Sequence, residues 1–384
     1  MPLPNTDTST EKLAILGRGL ESFLGNVQML GAVNADLSEE LAKPGDTINF
    51  NEPIVVGTKA ITPSNTQPAP TGLTTKARTL TLDQWRGSNP FGLTHKEKQE
   101  LFQNGGRFVN SQVGQAAVEL AEETNLFLLG LYKKVYNVVG TAATTPFQSS
   151  VAGATDAIQK LIEFKTRMTR GQMFGVLDPT AANYFKQLSQ FSDADKVGDQ
   201  GLKITGIMGE RYGIRWLEDQ QVIFHTAGVP GGTPLTNGAA SIGATSVAVD
   251  GLTVSTGTYK AGDIVTFAGH SQTYAVASDV TANGSGQVTL TISPPLKAAV
   301  SDNAAITLKA SHRVNLVFNR KAFYFAQRAL GVPDPARFAE ITDDRHGLSL
   351  RLEQMNQYKQ EAYELDLLYG GSCIFPEYAV RLMG

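Results

Sequence analysis

The sequence predicts an α+β fold that carries a small inserted β domain, and three observations predict it. Alternating apolar residues at Ile48 and Phe50, and again at Leu80 and Leu82, mark two strands near the start of the chain. Apolar or small residues spaced by three and four from Val109 to Val138 mark a long helix. From Ala227 to His312 the composition changes abruptly, because these 86 residues hold no Glu, no Arg and seven formal charges.

Each segment has its own physical reading. Residues 1–44 carry Asp7, Glu11, Glu21, Asp36, Glu39 and Glu40 against Lys12, Arg18 and Lys43, with a short helical pattern at Leu13, Leu16, Leu20 and Leu24. They are expected to form an N-terminal arm rather than a domain. Residues 45–93 contain the two strands and, between them, a tip with Pro53, Pro63, Pro68 and Pro70. A proline-rich tip cannot continue the ladder, so a long hairpin with an irregular, projecting end is predicted. A lone two-stranded hairpin is marginal in water, so it must rest on another surface.

Residues 94–150 hold the long helix, expected from Arg107 to about Val138, which would span about 45 Å at 1.5 Å per residue. Glu119, Glu122, Glu123, Lys133 and Lys134 fall mostly off its apolar stripe. Gly114 and Gly130 each disfavour helix by roughly 1 kcal/mol relative to Ala unless close packing needs them. Residues 151–226 predict a compact α/β piece. Its first helix, Thr155 to Arg170, turns Ile158, Leu161, Ile162 and Met168 inward, and a strand follows at Met173 to Leu177. A helix from Thr180 to Phe191 comes next, with Asp178 as cap and Pro179 preset for its first turn.

Residues 227–312 read as the inserted small β-barrel or sandwich. Its strands at Ser246–Val249, Ile264–Phe267, Thr273–Ala277 and Val288–Ile292 alternate with turns at Asp250-Gly251, Ala261-Gly262-Asp263 and Asn283-Gly284. Its two ends are expected to lie close together, as a tolerated insertion requires. Residues 313–384 predict a strand at Arg313–Phe318, a short helix at Arg320–Leu330, and a long β segment opened by Leu348, Leu350 and Leu352 and running towards Leu367. Cys373 to Leu382 form a final apolar stretch.

Composition excludes several functions. A net charge of −3, a pI near 6.0 and 18% charged residues, against a usual value of about 25%, give no electrostatic pull towards nucleic acid or an anionic membrane. A single cysteine, Cys373, rules out an internal disulfide framework and any zinc site needing two or more thiolates. The polar start, Met1 to Lys12, lacks the apolar core of a secretory signal, and no run of about 18 apolar residues occurs. A soluble chain made in the cytoplasm is the expectation, with no membrane partner.

No catalytic, cofactor-binding or metal-binding residues are predicted. Gly206-Ile207-Met208-Gly209 lacks the Gly-Lys-Ser/Thr ending of a phosphate loop, and nearby Asp199 and Glu210 spoil a basic nucleic-acid groove. The five histidines, His95, His225, His270, His312 and His346, are scattered and read as surface or capping residues. Asp343-Asp344-Arg345-His346 has no nucleophile motif to serve and reads as a charged turn. Glu361, Glu364 and Asp366 could supply paired carboxylates for glycoside hydrolysis, yet Glu364 and Asp366 at strand spacing also suit an exposed sheet face.

The order of these elements, together with particular residues, carries a resemblance. Gly206 to Ile214 followed by Gln221 to Gly228, then Gly347-Leu348-Ser349-Leu350-Arg351, Asp366-Leu367-Leu368-Tyr369-Gly370 and Pro376 to Arg381, resemble motifs of tailed-phage coat proteins of the Hong Kong 97 type. The resemblance implies an N-arm at 1–44, an E-loop at 45–93, a P-domain with spine helix at 94–150, an A-domain at 151–226, and its return with the P-domain β segment at 313–384. The inserted β domain at 227–312 is similar to that of the Salmonella podophage coat proteins, the gene-product-five family. Its near absence of charge prevents any carry-over of that family's charged contacts.

What the resemblance implies is a major capsid protein of a tailed bacteriophage, located in the virion and assembled in the host cytoplasm. It would close an icosahedral head around double-stranded DNA without sequence-specific contacts. Partners would be further copies in hexamers and pentamers, a scaffolding protein, a portal and a decoration protein. Ile48, Phe50, Lys59, Lys76, Arg78, Leu80, Leu82 and Arg86 are the expected subunit-contact residues, apolar ones for burial and charged ones for register. An encapsulin-like nanocompartment shell is the alternative of the same fold. A glycan-active enzyme with a β accessory module is the alternative of another class.

Overall fold

The computed structural model describes residues 16–24, 27–35, 47–52, 76–100, 105–164, 171–188, 208–335, 337–343 and 348–384. Helices and sheets are mixed throughout. β1 (Thr47–Glu52) and β2 (Lys76–Thr81) pair antiparallel from Thr47 opposite Thr81 to Glu52 opposite Lys76. Neither strand pairs with another described strand. The proline-rich tip lies outside the described residues. After β2 come β3 (Gln84–Gly87) and β4 (Phe91–Thr94), both of which join a large sheet further on.

The long helix, α1, runs from Gly105 to Gly130. At about 1.5 Å per residue that is about 39 Å. It stops short of Val138 because Leu131–Lys134 tighten into a 3₁₀ turn and Val135 turns extended. Val138 then joins β5 (Val138–Gly140), where pairing with the last strand of the chain outweighs the helical spacing. On α1, Val113, Ala116, Ala117, Leu120, Ala121, Leu128 and Leu129 are buried.

The compact α/β piece follows. α2 (Ala152–Glu163) begins earlier than predicted and buries Ala154, Ala157 and Leu161, whereas Ile162, expected inside, is exposed. Met168 lies outside the described residues. β6 (Met173–Leu177) is buried along its whole length. The chain then enters α3 (Pro179–Gln187), whose cap is as predicted: the Asp178 side chain accepts a hydrogen bond from Thr180 N at 3.1 Å. β7 (Glu210–Arg211) and β8 (Ile214–Glu218) form a tight hairpin with Tyr212 and Gly213 at positive φ. β9 (Phe224–His225) closes this part.

Residues 228–311 build a separate sheet. Its strands are β10 (Leu235–Thr236), β11 (Ser246–Asp250), β13 (Ile264–Phe267), β14 (Tyr274–Val276), β16 (Val288–Ser293) and β17 (Ile306–Leu308), in the order β10-β11-β16-β14-β13-β17. β12 (Thr258–Tyr259) and β15 (Val280–Thr281) pair beside it. The two ends of this sheet meet, since Thr236 N donates to Ala304 O at 3.0 Å and Ile306 N to Pro234 O at 3.1 Å. Its interior is Val247, Val249, Val265, Phe267, Tyr274, Leu290 and Ile292, every second residue on the longer strands. A closed sheet of this kind needs no charge to fold, which fits its composition.

After it, β18 (His312–Asn319) pairs with β9, β6 and β23 (Ala379–Met383), giving a mixed seven-stranded sheet ordered β5-β23-β18-β6-β8-β7. Both faces of this sheet are covered. Phe174, Val176, Leu316 and Phe318 face one core, while Met173, Leu177, Val317 and Trp216 face another under α2 and α3. Residues 320–330 do not form the predicted helix. Arg320–Ala322 make a 3₁₀ turn and Phe323–Arg328 a strand, β19, because Phe323 and Phe325 alternate into the core and pair along the end of β22.

β20 (Phe338–Asp343), β21 (Leu348–Gln357) and β22 (Gln360–Cys373) complete a second sheet around β22, to which β3 and β4 also pair. The predicted long β segment is therefore a hairpin that reverses at Tyr358-Lys359, with Lys359 at φ 57°. Its inner face, Leu348, Leu350, Leu352, Leu365, Leu367 and Tyr369, lies on the core of α1.

The first described segment departs from the expected arm. Residues 16–24 are helical, and Leu16, Leu20, Phe23, Val27, Met29, Leu30 and Val33 are buried in the main core. The acids suggested an arm, but the apolar face finds α1: a Cβ on Gly19 would sit 3.2 Å from Val113 Cγ1 and 3.7 Å from Ala117 Cβ.

Candidate functional site

The hairpin meets the body at its base. Leu80 and Leu82 are buried against Ala326 and the partly buried Tyr324. Beneath them Gly370 permits the approach, because a Cβ there would collide with Thr81 O and lie 2.9 Å from Leu82 Cα. The apolar surface of these two leucines, expected to cover a neighbouring subunit, is thus already covered by β19 and β22 of the same chain. They anchor the ribbon rather than extend it. Arg86 is likewise engaged at home, with Nε 3.1 Å from Glu123 Oε1 on α1. Arg78 is half-buried beside Lys134, Ser372 and Cys373, around a cavity of about 260 Å³. Ile48, Phe50 and Lys76 lie on the paired strands, and Lys59 lies outside the described residues.

The outer face of the β22 sheet carries an ion-pair ladder that the sequence did not reveal. Arg351 grips Asp366 with two hydrogen bonds, Nε to Oδ1 at 2.9 Å and Nη2 to Oδ2 at 2.5 Å. Trp85 Nε1 donates to the same Oδ2 at 3.1 Å, and the guanidinium stacks 5.0 Å from the Phe338 ring centroid. Trp85 remains 67% exposed, so its ring is held out on this face by its own N–H. Both oxygens of Asp366 thus accept hydrogen bonds. Burial, with Asp366 and Glu353 nearby, pushes the Glu364 carboxyl above its ordinary value. Arg351 and Asp366 form an opposite-charge cross-strand pair, whereas Glu353 and Glu364 stand directly opposite as like charges that disfavour the pairing, and Asp366 is buried rather than on the exposed face its spacing suggested. Of Asp343 to His346, only Asp343 lies among the described residues, in β20.

A second polar cluster sits where residues 228–311 join the body. His225 Nε2 lies 2.8 Å from Asp263 Oδ1, and His225 Nδ1 lies 2.8 Å from the Tyr132 hydroxyl. A carboxylate only accepts, so Nε2 carries the proton and Nδ1 accepts from Tyr132. Asp263 is fully buried and also accepts from Gly228 N at 3.1 Å and Lys260 N at 2.7 Å. Arg381, buried as well, donates to Gly262 O at 2.7 Å and lies 4.9 Å from the Tyr132 ring centroid. His312 stands directly opposite His225 on the β9–β18 ladder, with ring centroids 5.5 Å apart. Two histidines expected at the surface or in caps are thus buried together. Nothing in their local sequence signals it, since 86 residues separate the two strands that pair. Among the described residues no group of three or more His, Cys, Asp or Glu could hold a metal ion.

The whole is an α+β body with a ribbon on one side and a closed six-stranded sheet inserted on another. No known protein family matches the sequence, and no curated protein does. Solved structures resemble its path at low identity. A structure of Mycobacterium phage Che8 has a TM-score of 0.49 at 11% identity, over 91% of this chain and 89% of that one. The capsid of the cyanophage P-SCSP1u has a TM-score of 0.48 at 12% identity, over 89% and 84%. The virus-like particle from Pyrococcus furiosus has 0.43 at 8% identity, over 96% and 97%.

Proposed function

We propose that this chain is the major capsid protein of a tailed bacteriophage, a structural subunit of the Hong Kong 97-type fold that self-assembles into an icosahedral head around double-stranded DNA. The observation that carries the reading is the β1–β2 ribbon. Among the described residues its strands pair only with each other, and the ribbon meets the body where Leu80 and Leu82 are buried and where Arg78 lies beside Lys134 and Cys373. A two-stranded ribbon of this kind is marginal in water and is stabilised by lying on another surface. A second copy of the chain supplies that surface. Ile48, Phe50, Lys59 and Lys76 are then the residues that meet the neighbour, and repeated head-to-tail contacts close a shell.

In this reading residues 45–93 are the E-loop, 94–150 the P-domain with α1 as spine helix, and 151–226 with the return at 313–384 the A-domain and P-domain β segment. Residues 227–312 are the inserted β-barrel domain of a podophage-like coat protein. Scaffolding, portal and decoration proteins are the partners, and the virion is the destination.

Electron microscopy of the recombinant full chain, alone and with phage lysate proteins, tests this. Particles tens of nanometres wide are expected, and their absence under both conditions overturns the proposal. Removing residues 53–72 should leave a folded, soluble subunit that forms no shells. Normal particles from that variant would show that the ribbon is not what joins the copies. Shells from cells without a prophage, free of DNA and filled with protein cargo, would identify a nanocompartment instead.

A further inference from the structure

The polar cluster at the insertion junction has a charge balance that a single proton upsets. Five parts of the chain face one another across it: Tyr132 from the turn after α1, His225 from β9, His312 from β18, Asp263 from the inserted sheet, and Arg381 from β23. Cys373 lies beyond Arg381. With both imidazoles neutral, Asp263 and Arg381 cancel. Every polar contact of Asp263 then has a donor, and His225 has a partner on each nitrogen. His312 differs. Its Nδ1 donates to Ala310 O at 2.8 Å, so the lone pair is on Nε2, which is buried and has no partner.

We propose that this junction is an acid-released latch: at neutral pH the Tyr132–His225–Asp263 chain and Arg381 clamp the inserted sheet to the body, and protonation of His312 opens the clamp while the inserted sheet stays folded. A proton on Nε2 would create a donor with no acceptor and a second buried cation beside Arg381, with Asp263 the one anion facing both. Water can solvate that cation only if the 260–263 turn moves away. The inserted sheet has its own core and its own closing hydrogen bonds, so it survives the movement.

Burial, more than any neighbour, pushes the His312 imidazole down from 6.5 to about 4; Arg381 lowers it further, against the hydrogen bond to Ala310 and the charge of Asp263. A base whose folded value is depressed contributes stability that is complete above the unfolded value and is lost as pH falls towards the folded one. The clamp is therefore whole above pH 6.5 and weakens between 6.5 and about 4. The opening equilibrium rises towards about tenfold per pH unit in that window.

Hydrogen exchange on the full-length protein, corrected for intrinsic rates at each pH, tests the latch whether or not the chain forms a shell. The probes are peptides covering 226–230 and 260–263, whose Gly228 and Lys260 amides bond Asp263, with β11 and β16 as the internal reference. Between pH 6.5 and 5 the junction peptides should lose more than about tenfold in protection, while β11 and β16 change little. His312→Asn keeps a donor near the Nδ1 position and cannot titrate, so the acid response should vanish in it. Asp263→Asn should show an open junction already at pH 7. Junction protection that stays constant to pH 4.5 overturns the proposal. So does loss of β11 and β16 together with the junction, or an unchanged acid response in His312→Asn. If that variant does not fold, the wild-type series decides alone.

Discussion

Single atoms decide several features of this subunit. Gly370 sits under the hairpin base with no room for a methyl group, and the atoms it would strike, Thr81 O and Leu82 Cα, are backbone. A side-chain rotation cannot relieve that contact. Gly370→Ala should destabilise the subunit by about 1–3 kcal/mol, the range for overpacking a well-filled site. The hairpin base should also become open to protease, whereas α1 stays protected. A thermal melt and a limited digest check both. Cys373 presents the opposite situation, a reactive group made inert by burial. Its thiol is pushed up to about 12, first by burial and against the nearby Lys134 charge. At pH 8 the thiolate is therefore scarce and shielded. Ellman's reagent should titrate no thiol in the native subunit and one in urea; rapid native reaction would show that the β22 end opens.

Elements follow local sequence where local signals are strong and tertiary partners where they are not. The turn into α3 is the clearest local case. Asp178 caps it as its sequence position suggests, and it is itself buried, with its backbone N–H bonded to Asn315 Oδ1 at 2.7 Å. Asp178→Ala should cost about 1 kcal/mol, and up to about 2 for a cap of this kind, measurable as a lowered urea midpoint with an unchanged slope. β6 and, within residues 228–311, β11, β13, β14 and β16 were legible for the same reason, being short apolar or alternating runs; β8, β10, β12, β15 and β17 were not. Two helical readings failed for one shared cause. Val135 to Val139 continues the helical spacing of α1, and residues 320–330 can be drawn as a helix. Both segments lie beside strands, β23 and β22, that offer backbone partners over several residues. Such partners come from 243 or about 45 residues away and leave no local trace.

At the scale of the molecule, the contacts that join distant segments left no mark in charge, proline or periodicity. Residues 16–33 looked like an arm because they fall within residues 1–44, where acids outnumber bases, although this stretch itself holds only Glu21 and Arg18. Their burial depends on a surface made by α1. Asn125 shows how such joints are made. It lies in the last turns of α1, enclosed, where it accepts from Met29 N at 3.0 Å and donates to Asp219 Oδ2 at 2.6 Å and Gln221 Oε1 at 2.8 Å. One amide thus ties the first segment, the long helix and the β8–β9 connection together. A buried Asn in a helix reads as a weakness in sequence and becomes a fastening in three dimensions. The fixed and outward ring of Trp85 depends on Asp366 of the neighbouring strand and, through it, on Arg351 one strand further.

The paired strands β9 and β18 bear on the history of the chain. His225 stands opposite His312 and Phe224 opposite Arg313, so the 86 residues between the histidines leave and return through neighbouring rungs of one ladder. A recombination event could add or delete them as a cassette, with a short turn sufficient to rejoin the ends. Bare excision would nevertheless leave Arg381 buried without Gly262 O and His225 without Asp263, a cost of several kcal/mol. A descendant that lost the cassette would have to replace these polar residues by apolar ones. Those positions are therefore where ancestry with or without the insertion would be written.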